Sequence, residues 1–428
     1  MKNWCELKSY IDTVPVIDTH EHFKGITEPV DNILTFLADG WYTREDLANA
    51  AGSTQSLLQP LLDETRTLDE RFNWFIKWYD LIKNTSYADA FRRGLKISWG
   101  IDVTLQGLFE LYERKHERTQ AFHDQLIEKS KIKAGISNIF SDDSVLTGSK
   151  DYASWCRFAI SVPDWHTVKR REDIKKKADT MLNSPGSVNT LDDYVGAMEI
   201  CISRCKKFGN FVAIKDQSAY LRKIEFANST RRAAESVFNR IVHDARYSAG
   251  EAEALPLSNY LFHTIVRLAE KYDLPFQMHT GHLANLYGNI TNSNAADFLP
   301  VLEMNPNVVF DLFHGNWPYI GEYLYIGKSY PNVVLNLCWV QSIDSDYSIE
   351  LMRRAVLTMP TSKILAFGGD CSHVEFQIGA LDQARENVAK ALQSLIDDEK
   401  IDFEEAKRIA YDWFFYNPNR IYKLGICL

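Results

Sequence analysis

Cysteine is scarce and badly placed for cross-linking: there are seven residues, an odd number, and no CxxC pair. A disulfide framework is therefore excluded as the source of stability, and a reducing, cytoplasmic setting is expected. No apolar run approaches the roughly 20 residues that a membrane-spanning helix needs. The N-terminal stretch MKNWCELKSYIDTVPVIDTH also lacks the apolar segment and small-residue cleavage site of a signal peptide. A soluble chain with no membrane partner is expected. Basic charge is short as well. With 48 Lys and Arg against 57 Asp and Glu, the formal net charge is -9, and no basic stripe is available to neutralise phosphates. Nucleic acid is thus excluded as a partner. The densest basic run, KRREDIKKK from Lys169 to Lys177, is broken by Glu172 and Asp173 and reads as a solvated helix face.

Familiar catalytic signatures are missing too. There is no GxSxG, HExxH or GxGxxG, which removes support for serine hydrolase, zincin and dinucleotide-binding readings. GEYLYIGKS, from Gly321 to Ser329, imitates a phosphate loop, but five residues separate Gly321 from Gly327 where the motif requires about four. Bulky Tyr323, Leu324 and Tyr325 would also obstruct the backbone cradle.

What the chain does contain is alternation. Short runs rich in Val, Ile and Phe predict buried strands at Ile132 to Phe140, Arg157 to Val162, Phe211 to Lys215, Pro275 to Thr280, Val308 to His314, Val333 to Val340 and Lys363 to Asp370. VPVID near the start makes eight. Amphipathic helical patterns lie between them, one carrying Leu261, Ile265, Leu268 and Tyr272 on a single face and another Leu381, Ala384, Val388, Leu392 and Leu395. Cys201 and Cys205, one helical turn apart, are expected to be buried packing residues. Eight strands, each followed by a helical connection, predict an α/β fold of the (β/α)8 TIM-barrel type, with a doubly wound open sheet as the alternative. The stretch from Gly25 to Lys131 is far longer than the roughly two to six residues of an ordinary βα loop, and its patterns are helical. The expected organisation is a barrel of residues 1–24 and 130–428, with 25–129 inserted over the barrel mouth as a helical lid or packing subdomain.

The chemistry is expected at strand ends. In VIDTHEHF, His20 and His22 are two apart in a strand and project together, while Glu21 points away. An HxH alone is weak evidence of a metal site. Three further apolar strands, however, end near His279, His314 and Asp370, and only 11 histidines are present in all. Their placement at the C-terminal ends, where barrel chemistry is located, favours one convergent metal site. Lys215 ends FVAIK; it is expected to pair with a carboxylate such as Asp216, to lose basicity, or to be carbamylated and bridge two metals. His282 and His373, each three residues past a candidate ligand, are candidate substrate-binding residues. His116, His123, His166, His243 and His263 are expected to be packed or solvated.

These motifs taken in order resemble the amidohydrolase superfamily, in its amidohydrolase 2 branch: DTHEH after the first strand, His279, His314, GGD ending at Asp370, and FFYNPNRIYKL near the C-terminus. The resemblance implies a metal-dependent barrel enzyme. Its ligands would be His20, His22 and Asp370 with His279 and/or His314, its ion most commonly zinc, one or two per chain, and Asp370 its proton carrier. Hydrolysis of an amide, ester or lactone in a small molecule is the leading expectation. The long helical insertion is similar to that of uronate isomerases, so isomerisation or decarboxylation of a carboxylic or sugar acid is the second, and a non-catalytic metal-stabilised scaffold the third. An isomerase calls for an arginine near the metal, and Arg92, Arg93, Arg353 and Arg354 are available. Besides a small-molecule substrate, further copies of the chain are the one partner compatible with this reading.

Overall fold

The computed structural model describes residues 2–26, 33–39, 42–52, 58–140, 152–182, 188–284 and 286–427. Eight strands run parallel in sequence order: β1 (Val16–Glu21), β2 (Ile132–Phe140), β3 (Cys156–Ser161), β4 (Phe211–Asp216), β5 (Phe276–Met278), β6 (Phe310–Leu312), β7 (Val333–Asn336) and β8 (Ile364–Leu365). The chain past β8 returns to β1. Thr19 N donates to the Phe367 carbonyl at 3.2 Å, Asp370 N to that of His20 at 2.9 Å, and His22 N to that of Cys371 at 3.0 Å. A nearly closed barrel results, and the open-sheet alternative is set aside. Several strands are shorter than expected because the chain turns at the barrel rim. His279 follows β5 directly, His314 lies two residues past β6, and Asp370 lies five past β8.

Register explains what fills the barrel. Lys215 on β4 pairs with Gln277 on β5, which pairs with Asp311 on β6. Paired residues in parallel strands share a face, so these three form one polar row inside the barrel, while Phe276, Met278, Phe310 and Leu312 pack outward against the helices. Beneath the row, Ile136, Ala159, Ala213, Val334 and Leu365 close on Tyr422 of the C-terminal segment. The Tyr422 hydroxyl donates to Asp311 and accepts from Gln277 Nε2 at 2.8 Å.

Between β1 and β2 the described chain is helical. Thr67, Thr85, Thr104 and Thr119 each begin a helix by accepting from the backbone N–H three residues on, which satisfies an otherwise orphaned donor. Phe72, Phe75, Phe91, Leu95, Leu108 and Leu111 form a cluster of their own that reaches Cys371 and Phe376 of the chain after β8. The last helix, Gln120–Lys129, instead buries Leu126 and Ile127 in the barrel core, as the helix leading into β2 must. Among the described residues no helix is long and apolar enough to cross a membrane. None of the seven cysteines forms a disulfide, and Cys201 and Cys205 are buried as expected.

Candidate active site

Five expected residues meet at the C-terminal end of the barrel. Asp370 is central: its Oδ1 lies 2.8 Å from His22 Nε2 and 3.6 Å from His20 Nε2, and its Oδ2 lies 3.8 Å from His314 Nε2. His314 Nε2 is in turn 3.0 Å from His279 Nδ1. The ligand atoms of His20, His22 and Asp370 lie within 4.8 Å of one another. All of these residues except His22 are buried.

The backbone that holds Asp370 is fixed from β1. A register shift between Asp18 and Glu21 breaks the simple alternation of the strand, and both acids are buried, Asp18 also accepting from His20 N at 3.1 Å. Asp18 accepts from Gly369 N at 3.2 Å and Glu21 from Cys371 N at 2.8 Å, so the two peptide donors flanking Asp370 are each anchored on a buried acid. Gln377 Nε2 donates to Asp18 at 2.9 Å. A Cβ on Gly369 would stand 2.2 Å from Glu21 Oε1, which explains the glycine. His314, Trp339 and Asp370 all adopt positive φ, at 60°, 62° and 54°. Such backbone is costly for non-glycine residues, and it clusters here at three neighbouring strand ends.

Tautomers follow from acceptors on the far side of each ring. His279 Nε2 lies 2.7 Å from the His282 carbonyl, and His314 Nδ1 lies 3.2 Å from the Cys338 carbonyl. A carbonyl only accepts, so each of these nitrogens carries the proton. The nitrogens facing each other at 3.0 Å are then both lone pairs, which repel unless a cation stands beside them. Burial opposes protonation of the rings: it pushes His20 and His314 well below the ordinary histidine range and His279 down to about 3, and the Lys215 ammonium adds to the effect at His20 and His279. For Asp370 burial acts upward, but the His20, His22 and His314 imidazoles outweigh it and hold its pKa well below the usual value. Neutral imidazoles with an ionised carboxylate are the donor set that divalent transition metals take.

Lys215 corrects one expectation. Its amine is fully buried, has no hydrogen-bond partner among the described residues, and lies 3.4 Å from the Phe313 ring centre. Burial lowers its pKa to about 8 against the opposing pull of Asp370. Asp216, suggested as its partner, instead meets His166 Nε2 at 2.6 Å. The side chain of Asp216 points out of the barrel because adjacent residues of a strand face opposite ways.

His282 lies at the rim, its ring 4.8 Å from Trp339 and its Nε2 3.3 Å from the Tyr87 hydroxyl and 3.8 Å from Glu45. His373 is engaged differently: its ring packs on Phe36 and Phe376, and its Nδ1 meets Arg118 at 3.2 Å. Arg92 and Arg93 pair with Asp89, Arg93 also with Asp382 and Glu386, Arg353 with Asp398 and Arg354 with Glu350. Three tyrosines were missed. Tyr42 OH donates to the Asp370 carbonyl at 2.9 Å and lies 3.3 Å from its Oδ1, Tyr87 reaches His282, and the Tyr220 ring is 4.9 Å from that of His279. Tyr42 and Tyr87 come from the inserted helices, and no local pattern ties them to strand ends far away in sequence.

A barrel with a His/Asp cluster at its C-terminal mouth defines a class of metal-dependent enzymes. The amidohydrolase family model matches residues 186–424, and the chain belongs to that family. Members of the superfamily are enzymes and generally depend on metal. A stretch of 195 residues is 28% identical to the protein fluG of Emericella nidulans, covering 44% of this chain and 22% of that protein. The fold is similar to that of the uronate isomerase of Thermotoga maritima, with TM-score 0.81, 13% identity and 98% and 97% of the two chains covered. It is also similar to the glucuronate isomerase of Caulobacter crescentus, with TM-score 0.79, 15% identity and 100% and 95% covered. A Lactobacillus casei protein described as a metal-dependent hydrolase gives TM-score 0.66, 16% identity and 98% and 97% covered. At such identities these likenesses speak for the fold.

Proposed function

We propose that the chain is a metal-dependent hydrolase acting on a carbonyl-type centre (amide, ester or lactone) of a small molecule. The observation that carries this reading is the buried Asp370 carboxylate, whose oxygens lie within 3.8 Å of ring nitrogens of His20, His22 and His314, with His279 directly beside His314. His20, His22, His279, His314 and Asp370 would hold a divalent ion, zinc being the one best suited to a buried, mostly nitrogen donor set. Such an ion, when bound, lowers the pKa of water and polarises a carbonyl. Asp370 takes the proton of the attacking water at its carboxylate and hands it to the leaving group. The Tyr42 hydroxyl steadies that carboxylate. Lys215 places a desolvated positive charge beneath the cluster, where negative charge develops on the substrate, and Phe313 shields it from water. His282, with Tyr87 and Glu45, orients the substrate at the rim, and the inserted helices that carry the last two act as a lid. His373 takes no part in this reading, its ring being engaged with Arg118 and two phenylalanines.

A second reading has one specific support. An isomerase of sugar acids needs a tyrosine or second base beside the metal, and Tyr42 meets that need. It also needs an arginine for the carboxylate, and the four arginines named from the sequence pair with acids elsewhere. The two readings separate on atoms. In ¹⁸O-labelled water, a panel of amides, esters, lactones and uronates should show one labelled oxygen in a new acid, with two fragments from an amide or ester, one ring-opened hydroxy acid from a lactone, and the uronates unchanged. Conversion of a uronate to a product of unchanged mass, with every ester and amide left intact, would overturn the hydrolase reading.

A further inference from the structure

Beyond β7 the chain runs Leu337, Cys338, Trp339, and the Cys338 side chain is wholly buried beside the cluster. Its Sγ, a ligand nitrogen of His314 and a carboxylate oxygen of Asp370 lie within 4.8 Å of one another. Three observations show that the thiol is accommodated there. Gly368 leaves it room, since a Cβ on that residue would come within 2.8 Å of the sulfur. Its own carbonyl orients His314 by accepting from Nδ1, which leaves Nε2 as the lone-pair nitrogen. The thiol has no hydrogen-bond partner among the described residues, although Asp370 and His314 stand beside it.

Asp370 has two oxygens and they face different companions. Oδ1 is turned to His20 and His22, Oδ2 to His314. We propose that Cys338, His314 and Asp370 form a second cation position, sharing the Asp370 carboxylate with the position at His20 and His22, and that it takes a thiophilic divalent ion of the zinc type. The inference rests on the metal-centre reading above and adds a ligand and a selectivity to it. On binding, the Cys338 sulfur loses its proton to solvent and forms the metal–sulfur bond, so the site gains one negative charge against the ion's two positive ones. A thiolate discriminates against magnesium, calcium and manganese, which prefer all-oxygen sets, and in favour of zinc, cobalt and cadmium.

The test is titration of the metal-stripped full-length protein with Co²⁺, followed by absorbance and by equilibrium binding. The expected result is two ions per chain and a near-ultraviolet sulfur-to-cobalt charge-transfer band that grows with one of the two equivalents. Cys338→Ser should lose that band and bind one ion fewer, whereas His20→Ala with His22→Ala should lose one ion and keep the band. Because Cys338→Ser could misfold, ¹¹³Cd nuclear magnetic resonance of the wild type provides a reading free of substitution: one resonance in the thiolate-ligated range is expected beside one of nitrogen and oxygen ligation. A single bound ion without a charge-transfer band, lost in the His20→Ala, His22→Ala variant, would overturn the second position and leave the first standing. Absence of all Co²⁺ binding would overturn both.

Discussion

At the scale of single residues, function concentrates on Asp370. It touches both halves of the histidine cluster, and its charge is set by its neighbours against the effect of its own burial. Asp370→Asn keeps the shape but removes the proton acceptor and the anionic ligand. We expect it to lower kcat/KM on the order of 10³-fold while circular dichroism stays that of the wild type. Wild-type turnover in that variant would remove Asp370 from the mechanism. The residues that sequence made legible here are those at strand ends, His20, His22, His279, His314 and Asp370, because a strand end is a place that pattern can locate. Tyr42 and Cys338 were not legible. The first reaches Asp370 through a tertiary contact across a separate helical cluster, and the second is one more apolar-looking residue in VVLNLCWV until neighbouring strands bring His314 and Asp370 beside it.

At the scale of elements, two strand ends are held by buried polar devices. β1 anchors the turn after β8 through Asp18 and Glu21, and β4 is anchored to its surroundings through Asp216 and His166. Asp216 also accepts from Ser218 N at 2.8 Å, and its backbone carbonyl accepts from His279 N at 2.9 Å, so the pair bears on the cluster through β4. Burial alone would raise the Asp216 pKa, but His166 and Ser218 turn the net shift downward. A carboxylate with a depressed folded-state pKa contributes stability above its unfolded value, near 3.8, and loses it as pH falls through the folded value. His166→Leu leaves that carboxylate buried without its imidazole. A loss of about 3 kcal/mol at neutral pH is expected by urea unfolding, shrinking as pH falls, first as the variant's carboxyl, pushed up by burial, takes a proton, and vanishing below pH 3.8 once that of the wild type does so too. An equal loss at both pH values would show that packing, and not charge, is what His166 supplies. Sequence placed His166 among packed or solvated residues; packed it is, but pairing between separate elements cannot be read from spacing.

At the scale of the whole molecule, the eight strands were legible one by one, since runs of Val, Ile and Phe between amphipathic helices leave little else to build. Strand lengths were less so. The apolar pattern continues through the turns that bend away from the sheet, which is why Lys363 to Asp370 reads as a strand and β8 is only Ile364–Leu365. The C-terminal closure was legible only through the resemblance carried by FFYNPNRIYKL, and the role of Tyr422 within it was not. Tyr422 enters the barrel from the end opposite the site, and its hydroxyl completes the Asp311, Gln277 and Asn336 network beneath Lys215. Tyr422→Phe removes a donor from a buried carboxyl, and a loss of about 2 kcal/mol in unfolding free energy is expected. No measurable loss would mean that the ring alone closes the barrel.

A cation held by His20, His22, His279, His314 and Asp370 is what the proposed chemistry requires, so the most direct measurement is the divalent metal content of chelator-free protein, by elemental analysis, for the wild type, Lys215→Ala and His20→Ala with His22→Ala. The wild type should carry at least one ion per chain, the double histidine variant one fewer, and Lys215→Ala the wild-type number if its amine serves the substrate. Loss of one ion from Lys215→Ala would instead make Lys215 a bridging ligand. A wild-type protein without bound divalent metal, or a double histidine variant that keeps its full complement, would contradict the assigned site.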